Sequence, residues 1–161
     1  MTRRLFSNVS ALSVYRNSCY HRIDFKISEN DPAKHALHKF SAFNIGCLAV
    51  TNPQQHVVGV LSERDYLHKV SLLGKDDSLV PVKDICTYAP ILIATPEDTL
   101  EKCMKKMLIK DIRHLLVMDK HECVGMISIK DLIKELMRDK NDIITRLSDF
   151  KTGRGGFFGS E

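Results

Sequence analysis

Tryptophan is absent from this chain of 161 residues, aromatic residues make up only 7%, and there are just five prolines. No run comes near the ~20 consecutive apolar residues of a membrane-spanning helix. A helical membrane protein is therefore excluded, and a soluble protein is expected. The five cysteines, at 19, 47, 86, 103 and 123, are odd in number and contain no Cys-x-x-Cys pair. That argues against a disulfide framework and against a cysteine-based zinc site, and fits reduced thiols in an intracellular setting. His35 and His38 lie three apart on a predicted helix, but no third ligand accompanies them, so no metal site is expected.

Negative charge is missing from one stretch, and a positive surplus is missing from the rest. Residues 1–22 contain no acid, only Arg3, Arg4, Arg16 and Arg22. Setting those four aside leaves 20 basic residues against 20 acidic ones in the remainder. The body is therefore neutral and lacks the surplus of Lys and Arg by which a nucleic-acid binder meets phosphate. The opening stretch is rich in Arg and Ser and spaces Leu5, Val9 and Leu12 at helical intervals. Serines interrupt the apolar stretch that a secretory signal needs. The pattern is that of an organellar leader, and a mitochondrial transit peptide over 1–22, with a matrix location, is expected.

What the sequence does contain is a duplication. GVLSERDYLHKV (59–70) aligns with GMISIKDLIKEL (125–136), so that Gly59, Ser62 and Asp65 fall on Gly125, Ser128 and Asp131, an offset of 66. Upstream, NIGCLAVT (44–51) lies over DIRHLLVM (111–118) at an offset of 67. Each half has the order short strand, helix, strand, strand, helix. In the second half Thr95 is the expected N-cap, with Pro96 at the first helical position. Leu100, Cys103, Met104, Met107 and Leu108 then form one apolar stripe. His114–Met118 and Val124–Ile129 are the expected strands, and Leu132, Ile133, Leu136 and Met137 are expected to face a core. The first half repeats this with Ala33, Ala36, Leu37 and Phe40, then Cys47–Thr51, Val57–Leu61, and Tyr66, Leu67 and Val70. Halves of about 60 residues are marginal alone, so the two should pack as one unit.

The arrangement closely resembles a tandem pair of cystathionine-β-synthase (CBS) domains, a Bateman module, of the stand-alone organellar type. The resemblance rests on ISENDPAKHALHKFSAFNIGCLAV with VVGVLSERDYLHKV, then VKDICTYAPILIATPEDTLEKCMKKMLIKDIRHLLV with CVGMISIKDLI. It implies an α/β fold, each domain a small mixed sheet with two packing helices, the pair related by pseudo-two-fold symmetry. The expected divisions are 23–73 for the first domain, 74–81 for a linker and 82–140 for the second domain. A C-terminal helix and Gly-rich tail, including Phe157 and Phe158, would occupy 141–161.

Ser62-Glu63-Arg64-Asp65 and Ser128-Ile129-Lys130-Asp131 each stand where a strand turns into a helix. On residue type alone they are capping boxes, each contributing about 1 kcal/mol to a helix start. The resemblance implies more: at these positions the family's Asp accepts hydrogen bonds from ribose hydroxyls, while Ser and the helix N–H groups meet phosphate. Arg64, Lys130 and Arg113 would offset phosphate charge. The first half has Gly46 where the second has Arg113, so the two clefts should differ. Ile27 and Ile93, within Phe25–Ser28 and Leu92–Thr95, would wall the adenine.

The resemblance thus implies a regulator with no chemistry of its own. Its ligand would be an adenine nucleoside or nucleotide (AMP, ADP, ATP or S-adenosylmethionine), with or without Mg2+, and nothing tightly bound as a cofactor. A homodimer is expected, together with a regulated partner protein. A redox enzyme is one candidate partner, by analogy with plant stand-alone CBS pairs. The competing readings are a ligand-free dimerisation scaffold and an accessory subunit of a larger enzyme.

Overall fold

In a computed structural model, residues 9–151 are described, and two small mixed sheets carry the fold. The first contains β1 (Lys26–Ser28), β2 (Cys47–Thr51), β3 (Val57–Ser62) and β4 (Thr87–Tyr88), in that order. The second contains β5 (Ile93–Ala94), β6 (His114–Asp119) and β7 (Glu122–Ser128). In each, the first strand pairs in parallel with the second, and the second pairs antiparallel with the third. The parallel pairs need a crossover, which α2 (Ala33–Phe43) and α4 (Leu100–Ile109) supply. The third strands run directly into α3 (Glu63–Lys69) and α5 (Ile129–Lys151).

The duplication extends to single atoms. α2 ends on Asn44 and α4 is followed by Asp111, both left-handed (φ 51° and 49°), a conformation these short polar side chains tolerate. Both second strands carry a register shift, at Val50/Thr51 and Val117/Met118. Lys39 Nζ donates to the Lys26 carbonyl at 2.6 Å, and Lys106 Nζ to the Ile93 carbonyl at 2.7 Å. Glu63 N–H donates to Gly46 O and Ile129 N–H to Arg113 O, which sets the start of each last helix against the strand beside it.

Three expectations change. Thr95 does not cap α4: its N–H donates to Asp98 Oδ2 in a turn, and Thr99 caps instead, its hydroxyl accepting from Lys102 N–H. Asp98 is drawn inward by Lys102 and Lys106, which fixes the turn and delays the helix. α5 runs without a break past residue 140, so no separate C-terminal helix begins there. Along it Leu132 is buried, whereas Ile133 and Met137 are 49% and 52% exposed. The Gly-rich tail lies outside the described residues.

The largest change concerns the first segment. Residues 10–22 are folded into the body as α1 (Ala11–Asn17) and a 3-10 turn (Cys19–Arg22). Ala11 and Val14 are buried in the core of the second repeat, and Tyr20 in that of the first. Ala11 N–H donates to Asp98 O, and Leu100 N–H to Val9 O, at 2.8 and 3.1 Å. A short basic helix has no partner visible in its own sequence; its apolar side packs mainly on β7, α4 and α5, with Tyr15 also reaching Phe25. The part of the expected leader that is described is thus structural.

The two repeat glycines have different neighbours for the same reason. A Cβ on Gly59 would lie 2.4 Å from the Thr87 carbonyl oxygen of β4, and one on Gly125 would lie 2.6 Å from the Tyr15 ring. The segment before each repeat therefore covers the third strand of the other repeat. Because Thr87 O is backbone and cannot swing aside, Gly59→Ala should cost about 1–3 kcal/mol of stability. A urea titration would show it as a lower midpoint; an unchanged midpoint would mean that β4 is free to move away.

Candidate functional site

The crossed packing leaves two clefts between the repeats, built from corresponding residues. The first combines Ser62, Arg64 and Asp65 with Lys110–His114 and with the connector residues Thr87 and Pro90–Leu92. The second combines Ser128, Lys130 and Asp131 with Phe43–Gly46 and with Cys19 and Tyr20. Gly46, Arg113 and His114 face both.

The first cleft is a cavity of about 610 Å³, within the 300–1,000 Å³ typical of small-molecule sites. Its walls are mainly apolar: Val60, Ile91, Leu92, Ile112, Leu116 and Met126. At its polar end Ser62 and Asp65 form a reciprocal cap. Asp65 Oδ2 accepts from Ser62 N–H (3.1 Å) and Ser62 Oγ (2.6 Å), while Asp65 N–H donates to Ser62 Oγ at 3.2 Å. Lys69, one turn on, donates to Asp65 Oδ1 at 2.8 Å and to Ile85 O at 2.6 Å. Burial opposes the charge on Asp65, but the hydrogen bonds from Lys69 and Ser62 outweigh it and lower its pKa. An ionised carboxylate with spare lone pairs accepts hydroxyl donors well. Arg64 pairs loosely with Asp111 at 3.8 Å, both exposed; with Lys110 and Arg113 it brings three cations to the cleft. The combination suits a molecule with a flat apolar part, hydroxyl groups and an anionic end.

The second cleft is smaller, about 280 Å³, below the usual ligand range. Asp131, 7% exposed, accepts on Oδ2 from Ser128 N–H (2.8 Å), Ser128 Oγ (2.6 Å) and Ser18 Oγ (3.0 Å). Where Asp65 has Lys69 four residues on, Asp131 has Glu135, which pairs with Arg138 instead. Ser18, 113 positions away in the chain, donates to Asp131 on Oδ2, not on the oxygen equivalent to the Oδ1 that Lys69 meets on Asp65. The Tyr20 ring meets His114 edge-on at 6.0 Å and Phe25 at 6.0 Å.

The structure brings Ser62, Arg64, Asp65 and Arg113 together around the first cleft, and Arg113, Ser128, Lys130 and Asp131 around the second. It does not bring Ile27 or Ile93 to either. Ile27 is 3% exposed within the first core, and Ile93 packs against that core. They belong to first strands whose partners cover them; of the expected wall Leu92 does line the first cleft, and Ile91 before it joins it. Lys69 was legible as an i+4 partner of Asp65. Ser18, Tyr20 and His114 carried no such signal. Burial pushes the thiols of Cys47 and Cys103 up to about 12 and 11, which keeps them protonated and unreactive near neutral pH.

The family model described as CBS domain matches residues 21–72 and 82–138. A mitochondrial CBS domain-containing protein of Arabidopsis thaliana, CBSX3, is 32% identical over 127 residues, which cover 77% of this chain and 62% of that one. The chain spans less than two thirds of the length of the curated relatives it matches first. Among solved structures, a protein with CBS domains from Burkholderia ambifaria superposes with a TM-score of 0.74 at 27% identity, covering 81% of this chain and 96% of that one. The CBS domain protein PAE2072 from Pyrobaculum aerophilum, complexed with AMP, gives 0.67 at 22% identity, covering 76% and 89%, a likeness of fold.

Proposed function

We propose, from the premise that this chain belongs to the CBS-domain family, that it is a regulatory module without chemistry of its own, binding an adenine nucleotide in the first cleft. The observation that carries the reading is the pairing of a 610 Å³ apolar cavity with the ionised Asp65 at one end. Asp65 would accept from the ribose hydroxyls, Val60, Ile91 and Leu92 would flank the base, and Arg64, Lys110 and Arg113 would meet phosphate. Those cations favour AMP, ADP or ATP over the sulfonium of S-adenosylmethionine; Mg2+ would matter most for ATP. The AMP held by the Pyrobaculum protein supports this ligand class.

A nucleotide regulates only if it favours one arrangement over another. A homodimer is the arrangement we propose. Apolar side chains exposed on α3 and α5, among them Leu67, Ile133 and Met137, support it. The regulated partner would be a protein, a redox enzyme being one class. The mitochondrial Arabidopsis relative supports a matrix location. Processing after residue 22 would remove Ala11, Val14 and Tyr20 from the core, so this reading keeps residues 10–22 in the working protein.

Calorimetric titration with AMP, ATP and S-adenosylmethionine tests the reading. Hydrogen bonds to an ionised group contribute roughly 1.5–3 kcal/mol, so Asp65→Ala should weaken nucleotide binding at least ~10-fold while the protein stays folded. Heat that is absent for all three ligands would leave the dimerisation scaffold, in which Ser62 and Asp65 only cap α3.

A further inference from the structure

The two clefts are built from corresponding elements, yet the second is less than half the size of the first, because the chain fills part of it with its own residues. In the second, Ser18 Oγ donates to Asp131 Oδ2 at 3.0 Å, which is the contact a ligand hydroxyl would make. Tyr20, in the 3-10 turn that follows, occupies the space beside His114 and Gly46. The occupant fits imperfectly. Tyr20 Oη is buried against the backbone N–H groups of Gly46 and Cys47 without a well-formed hydrogen bond to either. The turn is short, held by Ser18 Oγ accepting from Tyr20 N–H at 3.2 Å and by His21 N–H donating to Ser18 O at 3.3 Å. Both flanks are fixed independently, by α1 on the second repeat and by β1 in the first sheet. Lys130, Lys134 and Arg113 stand around the cleft it narrows.

We propose that residues 18–22 are a displaceable internal plug of the second cleft, in which the Ser18 hydroxyl stands in for a sugar hydroxyl on Asp131. A second adenine nucleotide enters only by expelling the turn. The proposal rests on the reading of the first cleft as a nucleotide site. It makes the two clefts unequal: the first fills at low concentration, and the second fills at a higher one with release of the turn. Gly46, Arg113 and His114, shared by both, place the plug in contact with the wall of the first cleft.

The test is titration of the full chain with AMP, with amide exchange followed at Tyr20 and its neighbours. The wild type should show one event abolished by Asp65→Ala, then a second at least about a hundredfold weaker, because the buried Tyr20 ring must leave its site, that coincides with loss of protection at the Tyr20 amide. Ser18→Ala, which leaves the Tyr20 ring in place, should tighten the second event about tenfold without altering the first. Adding Asp131→Asn should remove the second alone. The plug is overturned if the first event stands but no second appears in Ser18→Ala at millimolar AMP. It is equally overturned if two events occur with Tyr20 protection intact, or if Ser18→Ala leaves the second unchanged. Absence of any event in the wild type and in Ser18→Ala would overturn the nucleotide reading itself and the plug with it.

Discussion

Tyr20→Ala is expected to lower the unfolding free energy by about 3–5 kcal/mol, the usual cost of emptying a buried aromatic site. The ring is 1% exposed and packs edge-on against Phe25 and His114, so its loss opens a void where the two repeats and the N-terminal segment meet. A typical domain has only ~5–15 kcal/mol in hand, and this one change removes a large share of it. Tyr20→Phe should behave oppositely. It keeps the ring and deletes a hydroxyl that is buried without a good partner, so stability should stay level or rise by up to about 1 kcal/mol. Urea unfolding of the two variants separates the cases. A Phe variant as unstable as the Ala variant would show that the hydroxyl, not the ring, is what the site needs.

The second large effect is on pH. His114 is pushed down from 6.5 to about 4, chiefly by burial and then by the adjacent Arg113, with Asp131 pulling weakly the other way. As pH falls below 6.5 the unfolded chain takes up a proton that the folded chain refuses until about pH 4. Stability is therefore complete above about pH 7 and declines between 6.5 and 4. At about 1.4 kcal/mol per pH unit the loss reaches at most about 3 kcal/mol. Asp98 and Asp65 act in a different window. Burial opposes their charge, but Lys102 and Lys106 around the first, and Lys69 and Ser62 around the second, hold both below 3.8. Their contribution is intact above that value and disappears as pH falls through their lowered folded values. Denaturant midpoints at pH 7.5 and 4.5 should differ for the wild type and nearly coincide for His114→Phe. A gap that persists in that variant would place the sensitive group elsewhere.

Much of the repeat could be read directly. Gly, Ser and Asp recur in register because each has a local job, close approach at a strand or the cap of a helix, and local jobs leave local marks. Ala33, Ala36 and Phe40 mark the inner face of α2 for the same reason. What could not be read was set by distant partners. The acid-free opening has the composition of a leader, yet its small side chains at Ala11 and Val14 fit against the second repeat, a surface that exists only after the whole chain has folded. Ile27 looked like a cleft wall because it sits in the right strand, but the sheet turns it inward. Thr95 looked like a cap until Asp98 found two lysines ahead of it. In each case nearby sequence offered one use for a residue and tertiary packing supplied a stronger one.

The connector between the repeats has two attachments at once. Thr87 and Tyr88 are laced to the margin of the first sheet, with Tyr88 Oη also tied to Glu29 at 2.9 Å, and a few residues later Ile91 and Leu92 form part of the open cavity. The joint on which one half could swing against the other is therefore the same stretch of backbone that a guest would press upon. Occupancy and inter-repeat angle become a single mechanical variable, and a two-rung ladder of strand pairing sets how stiff that variable is.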